Sequence, residues 1–126
     1  MGDEFCDFTV EVRSVGGFSV VALSGDWDLF AKGALHDALS AVGTTSDVIV
    51  DARAANFFDS SALGEFIAFF KRLNESGHRF ELLIGSSNIE RILEMTGLKN
   101  VLLPSQERLA LLQEVVSSDN AALKRP

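Results

Sequence analysis

The sequence predicts an α/β fold: an N-terminal β-hairpin, then alternating strands and helices around a mixed sheet of four to five strands with four helices. Three observations lead there. Two short apolar runs near the N-terminus flank Gly16-Gly17, the signature of a turn between antiparallel strands. Beyond them, short apolar runs alternate with longer segments whose apolar residues recur at helical spacing. The 126 residues, 47% hydrophobic and including 10 Phe, suffice for one packed core. We expect a single domain over residues 1–117 and a flexible tail over 118–126, where periodicity fades before Lys124-Arg125-Pro126.

The elements follow in order. Phe8, Val10 and Val12 alternate with Thr9 and Glu11, the period of a half-buried strand. Residues 18–23 are more continuously apolar and predict a central strand. Gly25-Asp26-Trp27-Asp28 closes that strand. Leu35, Ala38, Leu39 and Val42 then mark a helix face, with Asp28 as its N-cap or a loop charge and Trp27 as a core anchor. Residues 47–51 form a third strand and 53–56 a connector. Leu63, Phe66, Ile67, Phe70 and Leu73 make one apolar stripe on a second helix that ends near Gly77. Residues 80–84 give a fourth strand, and Ile89, Ile92, Leu93 and Met95 a third helix. Val101-Leu102-Leu103 reads as a short fifth strand stopped by Pro104. Ser105 caps a last helix carrying Leu109, Leu112, Val115 and Val116 inward. Strand–helix alternation implies right-handed parallel crossovers, which place function at the carboxyl ends of the strands. Asp28 and the Asp59-Ser60-Ser61 loop share that rim if the second and third strands are neighbours.

Composition narrows the classes of function. A net charge of −7 disfavours nucleic acid and anionic membrane surfaces as partners. Cys6 is the one cysteine; it cannot form an internal disulfide, which fits a reducing cytoplasm, and it reads as a small apolar residue near the first strand. The acidic N-terminus lacks the features of a signal peptide, and no apolar run reaches the roughly 18–20 residues that span a bilayer. No metal-ligand spacing is present, and we expect neither cofactor nor catalytic residue.

The serine pair before the second helix has two readings. Asp and Ser are preferred helix caps because their oxygens accept from free N–H groups. A helix N-terminus also receives a phosphate well. Residue chemistry alone leaves both open. Phe69, about 100° from the stripe's centre on a helical wheel, is either a border packing residue or a partial anchor for a partner.

Taken together, these segments resemble the STAS domain family, most closely the bacterial anti-sigma factor antagonists, over about residues 8–116. Gly25-Asp26-Trp27-Asp28-Leu29 resembles the family's Gly-x-x-Asp-Leu segment, and Val48-Ile49-Val50-Asp51 its central strand. Phe58-Asp59-Ser60-Ser61-Ala62-Leu63-Gly64 resembles its Asp-Ser-Ser-Gly-Leu-Gly signature, and Thr96-Gly97-Leu98 also recurs. The resemblance implies a non-enzymatic regulator that binds an anti-sigma factor with serine kinase activity and so frees a sigma factor. Phosphorylation at Ser60 ends that association, and a metal-dependent serine phosphatase restores it. Asp28 would assist recognition by the kinase. Asp28, Asp59, Ser60, Ser61, Leu63 and Gly64 thus form the implied partner-binding set, with Phe69 as the added candidate. Two departures stand out: Ala62 replaces a glycine, and Arg53 brings a cation that can pair with Asp51 or Asp59 or neutralise a phosphate.

Two rival readings remain. A non-switching STAS subunit of a lipid-transport, transporter or signalling complex keeps the fold and changes the role. A magnesium-dependent receiver-like domain would gather Asp28, Asp51 and Asp59 at the strand ends. It lacks the acidic pair after the first strand and the lysine after the last. Hydrolase chemistry is poorly served: His36 and His78 lie far from the serines in sequence, and no Gly-x-Ser-x-Gly elbow is present.

Overall fold

The computed structural model describes residues 8–123, with side-chain surroundings through residue 117. Cys6 and the side chains of residues 118–126 lie outside that description. The elements are β1 (Phe8–Val15), β2 (Phe18–Trp27), a 3₁₀ turn (Leu29–Ala31), α1 (Lys32–Val42), β3 (Asp47–Phe58), α2 (Ser60–Glu75), β4 (Phe80–Ile84), α3 (Ser87–Met95), α4 (Lys99–Leu102) and α5 (Gln106–Leu123). The sheet order is β1-β2-β3-β4, with β1 antiparallel to β2 and the remaining pairs parallel. Gly16 and Gly17 both adopt positive φ, which turns the hairpin as the sequence implies.

Strand alternation sends side chains to two faces. Val21, Leu23, Val48, Val50 and Leu82 join Leu35, Leu39, Phe66, Leu73, Ile89 and Leu93 in the main core. Val20, Ile49 and Leu83 point the other way and meet Leu112 and Val116 of α5. Arg108 of α5 donates through Nε to Glu81 on β4, the one buried charged side chain among the described residues, so that the carboxylate is paired where water is scarce. Glu81 also lies 4.0 Å from Arg79. Among the described residues no helix is long and apolar enough to cross a membrane.

Four expectations need correction. The predicted fifth strand is α4: Leu102 N–H donates to the Leu98 carbonyl at 2.9 Å, and Leu102 is buried while Val101 is 44% exposed. Three consecutive apolar residues fit either state, but Leu98 and Leu102 are i, i+4 partners on one helical face. The sheet therefore has four strands, and five helices are present among the described residues. β3 does not stop at Asp51 but continues through Phe58, absorbing the expected connector. Met95 lies outside the core at 79% exposure, and Val12, opposite Val21 on an edge strand, is 48% exposed.

The length of β3 positions everything that follows. Between Ala22 and Ser24 of β2, the β3 partners advance from Asp51 to Ala54; between Gly25 and Asp26 they advance from Ala55 to Phe57. Each step adds one residue to β3, a bulge. Asp51 braces the first of them. Its carboxylate accepts from Arg53 Nε at 2.8 Å, Nη2 at 3.0 Å and backbone N–H at 3.3 Å. The side-chain hydrogen bond to Asp51 raises the Arg53 pKa above its ordinary value despite partial burial. From the other side, β4's end closes in: a Cβ on Gly85 would stand 2.6 Å from the Arg53 carbonyl oxygen, so only glycine fits there.

Candidate functional site

Parallel pairing of β2 with β3 brings two loops side by side at the strands' carboxyl ends. Trp27 and Phe58 are register partners, and Asp59 N–H donates to the Trp27 carbonyl at 3.1 Å. Both anchoring rings are buried. Trp27 donates from Nε1 to the Ser24 carbonyl at 3.1 Å and packs on Phe8 with centroids 4.8 Å apart; Phe58 meets Phe66 edge-on at 5.0 Å. The residue after each ring is therefore fixed in place: Asp28 in one loop, Asp59 in the other.

These two aspartates act as parallel caps. Asp28, in extended conformation, accepts from Phe30 N–H at 3.0 Å, while its carbonyl accepts from Ala31 N–H at 3.0 Å. Asp59, also extended, accepts from Ala62 N–H at 3.1 Å, and its carbonyl receives Leu63 N–H at 3.1 Å. The cap of α2 is thus Asp59, not a serine. Ser60 is the first helical residue and is exposed; Ser61 is half-buried. The N–H groups of Ser60 and Ser61 precede the first i→i−4 bond of the helix, at its positive end.

Further along α2, the buried face is Ala62, Leu63, Phe66, Phe69 and Leu73, with Ile67 and Phe70 only partly covered. The apolar stripe is rotated from its expected centre. Phe69 is corrected accordingly: it is 0% exposed, sits edge-on to Phe80 at 6.1 Å and lies under the Arg72 guanidinium at 5.5 Å, so it is a core residue and not a partner contact. Leu63, 6% exposed, likewise belongs to the core. Ala62 is 1% exposed, which explains a methyl where the resembling signature has glycine: it fills core space.

Gly64 is exposed, and a Cβ there would meet nothing within 4 Å. Glycine inside a helix costs about 0.5–1 kcal/mol relative to alanine. No intramolecular packing requires it, and it lies at i+4 from Ser60, on the same face.

The remaining candidates disperse. Arg53 is committed to Asp51 and lines a concavity of about 440 Å³ with Thr9, Glu11 and Ser24. Another, of about 460 Å³, is lined by Phe70, His78, Arg79 and Glu81. Ser60 lines neither. His36 bonds Glu65 at 3.0 Å, tying α1 to α2, and His78 bonds Asp47 at the opposite end of β3. Asp28, Asp51 and Asp59 are spent on three different donors, and no group of three or more His, Cys, Asp or Glu among the described residues is placed to hold a metal ion.

Of the two residues after Asp28, sequence reasoning quoted Leu29 only as part of the resembling segment and passed over Phe30. Leu29 is 64% exposed and Phe30 is 90% exposed. Their signal was legible only as a break: apolar residues that fall outside the helical stripe of α1.

Comparison with known proteins agrees with this layout. The family described as the STAS domain matches residues 9–111. An anti-sigma-B factor antagonist from Staphylococcus aureus is 28% identical over 98 residues, which span 76% of this chain and 91% of that protein. A crystal structure of an anti-sigma factor antagonist from Mycobacterium paratuberculosis matches with a TM-score of 0.71 at 28% identity, covering 86% of this chain and 93% of that one. The anti-sigma factor antagonist SpoIIAA in its unphosphorylated form shares the fold, with a TM-score of 0.67 at 20% identity over 82% of this chain and 93% of that one.

Proposed function

The chain belongs to the STAS domain family, and from that premise we propose that it is an anti-sigma factor antagonist whose hold on its partner is switched off by phosphorylation of Ser60. The unmodified chain binds an anti-sigma factor with serine kinase activity and thereby releases a sigma factor. The kinase modifies Ser60, the contact is lost, and a metal-dependent serine phosphatase resets it. The docking surface comprises Asp28, Asp59, Ser60, Ser61 and Gly64.

One observation carries the reading: the capping of α2 is done by Asp59, which leaves Ser60 free of the cap and exposed at the helix start. A phosphoryl group there adds about −1.5 to −2 charge and three acceptors. The helix N-terminus accommodates part of that charge, so the fold needs no rearrangement. Asp28 and Asp59 stand beside it and add to the negative field a docked partner must face. The named role of the Staphylococcus aureus and Mycobacterium paratuberculosis relatives supports the same reading.

Intact-mass and fragment-ion spectrometry after incubation with each ATP-binding anti-sigma factor of the same genome tests it. One phosphoryl group at Ser60, absent from Ser60→Ala, is expected. Tight binding with no modification would leave the non-switching interaction subunit as the better account.

Gly64 yields a second test with opposed signs. Gly64→Ala should stabilise the chain by about 0.5–1 kcal/mol in urea unfolding while weakening binding of the same anti-sigma factor, because a methyl intrudes on the contact face.

A further inference from the structure

We propose that Leu29 and Phe30 form an apolar anchor which seats in a nonpolar socket, rimmed by Arg or Lys, on the protein that docks over Ser60. The proposal rests on the reading above and deepens it by stating the chemistry of the partner's surface.

Isolated exposed apolar residues are common and need no explanation. Phe30 differs in three respects. It has the highest exposure, 90%, of the large hydrophobics described, and its neighbour Leu29 is 64% exposed. It is rigidly presented: its N–H is bonded to the Asp28 carboxylate at 3.0 Å, and Ala31, directly behind it, is 0% exposed with its N–H on the Asp28 carbonyl. And it belongs to the loop pinned to the α2 cap through the Asp59 N–H to Trp27 carbonyl bond. A backbone held in this way needs no reordering on binding, and aromatic anchors supply much of the affinity in protein contacts.

Charge selects the kind of socket. Exposed Asp26 and half-buried Asp28 and Asp59 bracket the dipeptide, with Lys32 the one cation in the segment 26–33. The chain as a whole carries −7. An acidic rim around an aromatic tip is complementary to a cationic rim around an apolar cleft, and repels an acidic one. The rim is matched to Asp26 and Asp28 around the dipeptide, whereas added phosphate at Ser60 acts at the start of α2, where a docked partner would have to desolvate a dianion.

The test is calorimetric titration of the anti-sigma factor that binds the wild-type chain, using Phe30→Ala, Ser60→Asp and, as a control for surface apolarity elsewhere, Met95→Ala. Phe30→Ala should lower affinity at least tenfold, make the heat-capacity change of binding less negative, and leave the circular dichroism spectrum unchanged. Met95→Ala should stay within twofold of wild type, and wild-type affinity should fall as salt rises from 50 to 300 mM. If Phe30→Ala binds within twofold of wild type while Ser60→Asp is weakened, the anchor is wrong and the antagonist reading stands. If Ser60→Asp also binds normally, both fail. Binding that tightens with salt overturns the cationic rim.

Discussion

Phe69→Ala should remove about 3–5 kcal/mol of folding stability, the usual cost of truncating a buried phenylalanine. The reason lies in where the ring sits. Phe69 is 0% exposed on α2 and shares one aromatic cluster with Phe66 and Phe80; the Phe80 ring is met by Phe66 at 6.0 Å, Phe69 at 6.1 Å and Phe70 at 6.3 Å. Alanine leaves a cavity beside the Phe80 ring, which Phe66 and Phe70 already hold from other sides. A domain of this size has about 5–15 kcal/mol in total, so the midpoint of thermal unfolding should drop by about 10–20 °C. At a temperature where the variant remains folded, binding of the anti-sigma factor should be unchanged. A loss below 1 kcal/mol together with weakened binding would restore Phe69 as a partner contact.

Ser60→Asp should behave in the opposite way: normal stability, failed binding. The new carboxylate sits at the positive end of α2, where such a charge is worth about 0.3–1 kcal/mol in favour of the folded chain. Far-UV circular dichroism and the urea midpoint should therefore match or slightly exceed wild type. Binding is another matter. The carboxylate joins Asp59 and Asp28 on the proposed contact face and must be desolvated or opposed if the partner docks there. Such mismatches cost several kcal/mol, or about a hundredfold in the dissociation constant at 2.7 kcal/mol. Ser60→Ala, which adds no charge, should retain binding. Aspartate carries less charge than phosphoserine, so the variant sets a lower bound on the effect of the modification.

How much of this was legible in the sequence varies by element. The hairpin was, because Gly16-Gly17 lies between two apolar runs and both glycines take positive φ. So was the shared rim, since strand–helix alternation forces parallel crossovers and β2 and β3 pair as neighbours. The true length of β3 was not. Arg53-Ala54-Ala55-Asn56 has the composition of a connector, and what keeps it in the sheet is tertiary: the ladder to β2, two bulges and the Asp51–Arg53 pair. The split of roles in Asp59-Ser60-Ser61 was also hidden, because Asp and Ser cap helices about equally well and only the backbone reveals which residue stands one place before the helix. Phe69 was misjudged for a related reason. A helical wheel gives angles about an axis, but the packing centre of α2 is set by what lies beneath it, and Phe80 draws the buried face toward Phe69. Val101-Leu102-Leu103 shows the limit of short apolar runs, which carry no period of their own.

The most direct measurement is a calorimetric comparison of two forms of one protein. The chain, phosphorylated to completion at Ser60 by the proposed anti-sigma factor kinase and repurified, is titrated against the same anti-sigma factor as the unmodified chain. We predict at least hundredfold weaker binding by the phosphorylated form, with identical circular dichroism spectra for both. Equal affinities would contradict the account.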